Sequence, residues 1–318
     1  MTFSLPPFTS VPVDTCKPKD DWPAYFVGLA EQLGRLPKLP NFAEDEGVFV
    51  FSDYGGEHKG AGFRTYTYLI VSADKISVFK RESEAIRLKY GLGTREISFK
   101  DLSYGPARRA LPDYLSVVNG CLHGMLLTVG VDVNIHTLFG ESKKEGRINL
   151  ERVRDKIGKG DWSYKRLEKM YRVYGPLVIM LHMLCSEGHK VLWHADSDTI
   201  NEDGKGSTFK DAQYHLQVML AEFSGKNFKL LGVAKSFDEH SYFDDLLSVA
   251  DLAAGMMQDL LRHQYHDANV EVNEPKALLC KWLGTESQFL QKVNLAVVLR
   301  GAQVYFEFVD IDAIDKEV

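Results

Sequence analysis

The chain has 318 residues and a net charge of −6, and its 45% hydrophobic and 26% charged residues are typical of a globular protein. It has no run of about 18 apolar residues and no basic segment followed by an apolar core, so we expect neither a membrane-spanning helix nor a secretory signal. Four scattered cysteines, Cys16, Cys121, Cys185 and Cys280, form no CxxC pair, which favours reduced thiols and a cytoplasmic location. The acidic total does not indicate a nucleic-acid-binding protein.

The N-terminal part of the chain predicts an extension followed by three strands. Residues 1–45 are rich in proline, which is typical of a loosely packed extension rather than a domain. Apolar or alternating runs then predict strands at 47–53, 64–71 and 75–80. The short turn between the second and the third predicts that the three strands form an antiparallel meander.

Helices and strands alternate in the rest of the chain. Helices are predicted at 112–122, 150–185, 208–222 and 245–263, and strands at 124–133, 190–196 and 227–234. The acidic residues 266–318 predict a C-terminal extension packed on the core. The pattern as a whole predicts an α/β fold, with one mixed sheet and helices on both of its faces over residues 46–265.

Four aspartates occupy positions that suggest chemistry. Asp53, Asp132 and Asp196 lie at or near the ends of predicted strands, and Asp53 is followed by Tyr54-Gly55-Gly56. Asp251 lies inside an apolar helix, where an unpaired carboxylate is costly. A lone strand-end aspartate more often forms a turn, and a buried one can pair with an arginine. Alternatively, the four gather at one edge of the sheet, where α/β folds bind ligands.

Several carboxylates without nearby cysteines are the ligands that hard divalent cations prefer. The set therefore predicts a site for Mg²⁺ or Mn²⁺ rather than for zinc. Two such ions held close together can activate water and stabilise the leaving oxygen of a phosphodiester. Glu96, which precedes Lys100 in a charged stretch, lies in a region that could fold over the same edge.

A basic stretch runs from Lys143 to Arg172 and contrasts with the acidic total. Such a stretch can lie along a polyanion. An equally good interpretation is a solvated helix face with intrahelical ion pairs. The predicted nucleic-acid contacts are Lys100, Lys143, Lys144, Arg147 and Arg152.

The order of these motifs resembles a known family. The strand VFVFSDYGG contains Asp53, and the helix LLSVADLAAG contains Asp251; between them lie the charged stretch at 96–100, the strand that ends in Asp196, and Lys235-Ser236. This order is similar to the bacterial family called domain of unknown function 3800, which is related in fold to RuvC-type and Piwi-type nucleases. The resemblance covers 47–263 and implies a ribonuclease H-like fold, with carboxylates of the first strand and last helix flanking divalent metal ions.

The resemblance also ranks the candidate residues. It implies that Asp53 and Asp251 are the foremost ligands and that Asp196 comes next. The predicted catalytic residues are Asp53, Asp196, Asp251 and Glu96, and the predicted metal ligands are Asp53, Asp251, Asp196 and Asp132. One departure is that the family usually continues its first strand as Asp-Glu-Ser-Gly, where this chain has Tyr54-Gly55-Gly56 after Asp53.

Three functions remain open at this point. The leading hypothesis is a Mg²⁺- or Mn²⁺-dependent nuclease or related phosphodiesterase that binds nucleic acid. The alternative is a catalytically degenerate subunit of a bacterial assembly, for instance in defence, that binds a protein partner or a second copy of itself. The altered Asp-Tyr-Gly-Gly turn favours this alternative. The third is a metal-dependent hydrolase of small nucleotides.

Overall fold

The structure is a computed structural model that describes residues 9–13, 22–157, 162–195, 208–234, 240–266, 270 and 272–311. The strands in this part of the chain are β1 (Ser10–Val11), β2 (Leu39–Pro40), β3 (Gly47–Gly55), β4 (Phe63–Ser72), β5 (Gly124–Asp132), β6 (Lys190–Ala195), β7 (Leu230–Ala234), β8 (Leu290–Arg300) and β9 (Gln303–Phe308). The helices are α1 (Ala24–Leu33), α2 (Ser77–Tyr90), α3 (Gly105–Cys121), α4 (Lys143–Ile157), α5 (Tyr164–Leu184), α6 (Phe209–Ser224), α7 (Tyr242–His266) and α8 (Glu274–Gly284), with a 3₁₀ turn at Phe99–Asp101.

Seven strands form one mixed sheet in the order β7-β6-β3-β4-β5-β8-β9. β3, β4 and β5 are consecutively antiparallel, whereas β6 is parallel to β3 and β7 is parallel to β6. β8 is parallel to β5 and pairs with the antiparallel edge strand β9. Because β3, β5 and β6 all point the same way, they end at one edge of the sheet, which we call the carboxyl edge.

Helices cover both faces of the sheet, as the sequence predicted, and side chains alternate between two cores. Val48 and Val50 of β3 pack in the core formed with α1, α5 and α6. Phe51, the residue after Val50, points to the opposite face and packs in the core formed with α2, α3 and α7. Among the described helices, none combines the length and the apolar character that crossing a membrane requires.

Helix α7 lies directly on the sheet because small side chains face it. Ala250, Ala253 and Ala254 are buried. The strand below contributes Gly130, where a Cβ atom would lie 2.0 Å from Cδ1 of Leu261. The small residues on both sides allow the helix axis to approach the strands closely, which brings the polar residues of α7 near the central strands.

The predicted third strand at 75–80 is wrong, since this segment leads into helix α2. The buried residues of α2 are Phe79, Ser83, Ile86 and Arg87, a spacing that fits one face of a helix. The six residues 75–80 are too few to distinguish this helical spacing from the alternation of a strand. The third strand of the antiparallel set is β5, which the sequence predicted at 124–133, and α2 and α3 connect it to β4.

Two further segments differ in extent from their predictions. The predicted helix at 150–185 is divided between α4 and α5, and α5 continues through Gly175-Pro176 without ending. After residue 266 the chain forms α8, β8 and β9, and β8 pairs with β5 along most of its length. The C-terminal part therefore extends the central sheet rather than only lying on it.

The side chain of Lys292 on β8 carries a partly buried amine that makes stability depend on pH. Its Nζ donates hydrogen bonds to Asn119 Oδ1 at 3.2 Å and to the Trp282 carbonyl at 2.5 Å, yet burial lowers the pKa of Lys292 to about 8. The protonated amine is therefore penalised in the folded state, and deprotonation relieves the penalty.

We expect the free energy of unfolding of the wild type to rise, relative to Lys292→Met, by about 2 kcal/mol between about pH 7 and about pH 9.5. Chemical denaturation at a series of pH values measures this difference. The control is Lys38→Met, which removes an exposed amine and should follow the wild type. Parallel pH profiles for wild type and Lys292→Met would contradict the expectation.

Candidate functional site

The first candidate residue, Asp53, lies on β3 near the carboxyl edge and belongs to a polar row that crosses the sheet. Its register partner on β4 is Thr67, which in turn pairs with Thr128 of β5, and Thr128 pairs with Asn294 of β8. The Thr67 hydroxyl donates to Thr128 Oγ1 at 3.3 Å. Asp53 shares its face of the sheet with Phe51, so it lies on the side that α7 covers.

Helix α7 brings Asp251 to the same part of the sheet. Near its start, Phe243 contacts Phe49 and Phe51, with ring centroids 5.2 and 5.3 Å apart. Asp251 is about 12 Å further along the helix axis. Along β3, Asp53 lies about 10 Å beyond the midpoint between Phe49 and Phe51, towards the carboxyl end of the strand. Because α7 and β3 run in the same general direction, the two aspartates lie at nearly the same level of the helix–strand contact.

Gln258 shows how closely α7 approaches the end of β3. A Cβ atom on Gly55 would lie 2.6 Å from Thr65 Oγ1 and 3.2 Å from Gln258 Oε1. The next residue, Gly56, has a φ of 81° and a Cβ there would lie 2.0 Å from the Phe63 carbonyl oxygen. Both glycines are thus demanded by local geometry. Local geometry therefore accounts for Gly55 and Gly56 in the turn after Asp53.

The segment between α2 and the 3₁₀ turn crosses α7 and holds Asp251. The Phe99 backbone N–H donates to Asp251 Oδ2 at 2.7 Å, and a Cβ on Gly255 would lie 2.3 Å from the Phe99 ring. Glu96 and Lys100 flank Phe99 in sequence and are exposed. These contacts place Phe99, which lies between Glu96 and Lys100, against the helix that carries Asp251.

Arg87 on α2 fixes that segment to α7. Its guanidinium pairs with Asp245 at 2.6 Å and donates to the carbonyls of Gly93 at 2.7 Å and Arg95 at 2.6 Å. Burial raises the pKa of Asp245, and the neighbouring Arg87 charge opposes that rise. The ion pair therefore positions the backbone that donates to Asp251.

Asp132 lies at the carboxyl edge but away from Asp53. Asp132 lies two strands away from Asp53 and four residues further along its own strand. These offsets put the two Cα atoms about 16 Å apart. The Asp132 carboxylate accepts the Asn134 N–H at 2.8 Å and stabilises the turn after β5. A carboxylate at this distance cannot share an ion with Asp53. Asp196 lies outside the described residues; β6 ends at Ala195, which pairs with Ser52.

Asp53 and Asp251 fit a hard divalent cation by the chemistry of their oxygens. Within the described residues, no group of three or more histidine, cysteine, aspartate or glutamate side chains is arranged to hold a metal ion. Among the described residues, the candidate metal ligands are therefore the carboxylates of Asp53 and Asp251. Oδ2 of Asp251 also accepts a hydrogen bond from the Phe99 N–H. A complete site needs a further ligand or water molecules.

A basic cleft opens at the same edge of the sheet but on the opposite face, between β4, α4 and α5. It has a volume of about 610 Å³. Two of the predicted nucleic-acid contacts, Lys143 and Arg147, line it together with Arg64, Lys165 and Lys169. The other two on α4, Lys144 and Arg152, are exposed and are not among the residues that line this cleft.

Sequence patterns could have identified part of this cleft. Lys165 and Lys169 are spaced by four residues and share one face of α5. Arg64 alternates with Tyr66 along β4, so both point to the face away from α7. The contribution of the Phe99 N–H to the Asp251 site has no side-chain signal and could not be read from sequence.

Comparison with known proteins assigns no family to the chain. No protein-family profile matches the sequence, and no protein of curated function matches it. The function is therefore inferred from the arrangement of these residues.

Proposed function

We propose that the protein is a divalent-metal-dependent nuclease with a ribonuclease H-like core. The observation that carries the proposal is the packing of helix α7, which carries Asp251, on the central strand β3, which carries Asp53. Two carboxylates at the same level of one helix–strand contact offer the oxygen ligands that a hard divalent cation prefers.

The topology supports this proposal. β3, β4 and β5 form the antiparallel set, and β6 and β7 follow as helix–strand units parallel to β3. This strand order supports a ribonuclease H-like core, and β8 and β9 extend the sheet beyond it. The resemblance to the domain of unknown function 3800 family remains part of the proposal.

The residues divide into two roles in the proposed reaction. Asp53 and Asp251 would hold Mg²⁺ or Mn²⁺, which supplies a Lewis acid and an activated water, and Asp196 is the proposed third ligand. The Phe99 N–H fixes the orientation of the Asp251 carboxylate. The exposed Lys100 stands one residue from Phe99, where its charge can contact a phosphate of the bound strand.

Cleavage assays test the proposal. Wild type and the Asp53→Asn, Asp251→Asn double variant are incubated with Mn²⁺ or Mg²⁺ and labelled single- or double-stranded DNA or RNA. We expect metal-dependent cleavage of at least one polymer by the wild type and a loss on the order of 100-fold or more in the double variant. The matched control is Asp132→Asn, which retains the acceptor for the Asn134 N–H and should cleave as the wild type does.

Two outcomes would overturn the proposal. One is equal cleavage by wild type and double variant, and the other is no cleavage of any of the four polymers by a folded wild type. In the second case the degenerate-subunit alternative gains support, because Asp251 Oδ2 already has a protein donor in the Phe99 N–H. Cleavage of mononucleotides without cleavage of polymers would instead support a small-nucleotide hydrolase.

A further inference from the structure

The basic cleft lies on the opposite face of the sheet from Asp53 and Asp251 and has its own chemistry. Its floor is Tyr66 of β4, and its walls come from α4 and α5. Five basic side chains line it: Arg64, Lys143, Arg147, Lys165 and Lys169. A cavity of about 610 Å³ falls in the size range of pockets that bind small organic ligands.

The two acids that line the cleft are already engaged by the protein. Glu57 pairs with Lys169 at 2.5 Å. Glu168 accepts the Leu138 N–H at 2.6 Å and pairs with the buried Arg172 at 3.2 Å. These contacts leave neither carboxylate available to balance the remaining cations.

Four cations of the cleft are uncompensated. Among the described residues, no carboxylate lies within ion-pair distance of Arg64, Lys143, Arg147 or Lys165. Arg147 instead stacks on Tyr164, with its guanidinium 4.6 Å from the ring centroid. Like charges gathered around one cavity repel one another, so the arrangement favours a multiply charged anion between them.

Tyr66 adds a neutral donor to the floor of the cleft. Its side chain is only 2% exposed, and its hydroxyl has no hydrogen-bond partner among the residues that the structure describes. Burial raises the pKa of Tyr66, which keeps the hydroxyl protonated at neutral pH. A ligand oxygen in the cleft would accept a hydrogen bond from this hydroxyl.

We propose that this cleft binds the phosphate monoester of a nucleotide. A monoester carries close to two negative charges and three acceptor oxygens, which suit the four cations and the Tyr66 hydroxyl. The cleft is larger than a phosphate ion, so volume remains beside the phosphate for the nucleoside. The ligand is either a free mononucleotide or the phosphorylated end of a nucleic-acid strand.

The proposal is tested by calorimetric titration of the full chain, without divalent metal, using adenosine, AMP, and one short oligonucleotide with and without a terminal phosphate. AMP and the phosphorylated oligonucleotide should bind, and each should bind at least about tenfold more tightly than its unphosphorylated counterpart. The tighter of the two phosphorylated ligands identifies the source. Equal binding with and without the phosphate, or no binding of either phosphorylated ligand, overturns the proposal.

Variants locate the binding on the chain. Arg64→Gln with Lys165→Gln should weaken AMP binding at least about tenfold, as should Tyr66→Phe, which removes only the hydroxyl. The matched control is Lys144→Gln with Arg152→Gln, which removes two exposed charges of α4 that do not line the cleft. Equal weakening by cleft and control variants would overturn the proposal.

Binding at the cleft does not depend on the carboxylate site. The Asp53→Asn, Asp251→Asn variant should therefore bind AMP as the wild type does, so failure of the nuclease proposal and failure of this one are distinguishable. Denaturation curves are measured to check that Tyr66→Phe folds like the wild type. The Arg64→Gln, Lys165→Gln variant tests the cleft independently, because it does not alter a buried ring.

Discussion

Replacing Asp251 with asparagine is expected to abolish metal-dependent cleavage while leaving the protein nearly as stable as the wild type. The asparagine carbonyl can still accept the Phe99 N–H, but it lacks the charge that a divalent cation requires. We expect a loss of cleavage on the order of 100-fold or more and a change in the free energy of unfolding of about 1 kcal/mol or less.

Asp251→Ala separates the two roles of this side chain. It removes both the charge and the acceptor, so the free energy of unfolding should also fall, by about 1–2 kcal/mol, because the Phe99 N–H loses its partner. Urea denaturation measured beside the cleavage assay distinguishes the variants. An asparagine variant that cleaves like the wild type would show that Asp251 serves only to hold the Phe99 segment.

Replacing Arg87 with methionine is expected to destabilise the fold by about 3–5 kcal/mol. The change removes the arginine that pairs with the buried Asp245, leaving His240 at 3.9 Å, and it frees the Gly93 and Arg95 carbonyls. The Asp245 carboxyl is only 3% exposed, so water cannot replace the guanidinium. Denaturant-induced unfolding measures the loss.

The matched control for Arg87 lies two residues along α2. Lys89 pairs with Asp113 at the same 2.6 Å distance, but these side chains are 62% and 43% exposed. Lys89→Met should therefore cause little change. Adding Asp245→Asn to Arg87→Met should recover part of the lost stability, because the unpaired charge is removed. If Arg87→Met and Lys89→Met are equally mild, the ion pair does not hold the segment.

The strand that carries Asp53 and the helix that carries Asp251 could be predicted because their signals are local. An apolar run that ends in Asp53 defines β3, and the long buried run around Asp251 defines α7. The prediction of a strand at 75–80 failed because a short apolar segment does not reveal its period until the buried positions further along α2 are included.

The details of the site depend on contacts between residues distant in sequence. The Phe99 N–H, the Arg87–Asp245 pair and the Gln258 contact beside Gly55 join segments whose proximity only the fold creates. The end of a strand is the only sequence signal that makes Asp132 a candidate ligand. Sequence does not fix the register between strands, and that register places Asp132 about 16 Å from Asp53.

The position of α7 late in the chain has a consequence during protein synthesis. Asp53 on β3 and Asp251 on α7 are about 200 residues apart in sequence, so the packing of α7 on β3 closes a long loop and forms late. A nascent chain on the ribosome that has exposed β3 but not yet α7 would hold only one of the paired carboxylates. For the nuclease that we propose, the metal site would therefore be complete only after translation has passed α7 and the helix has docked on the sheet.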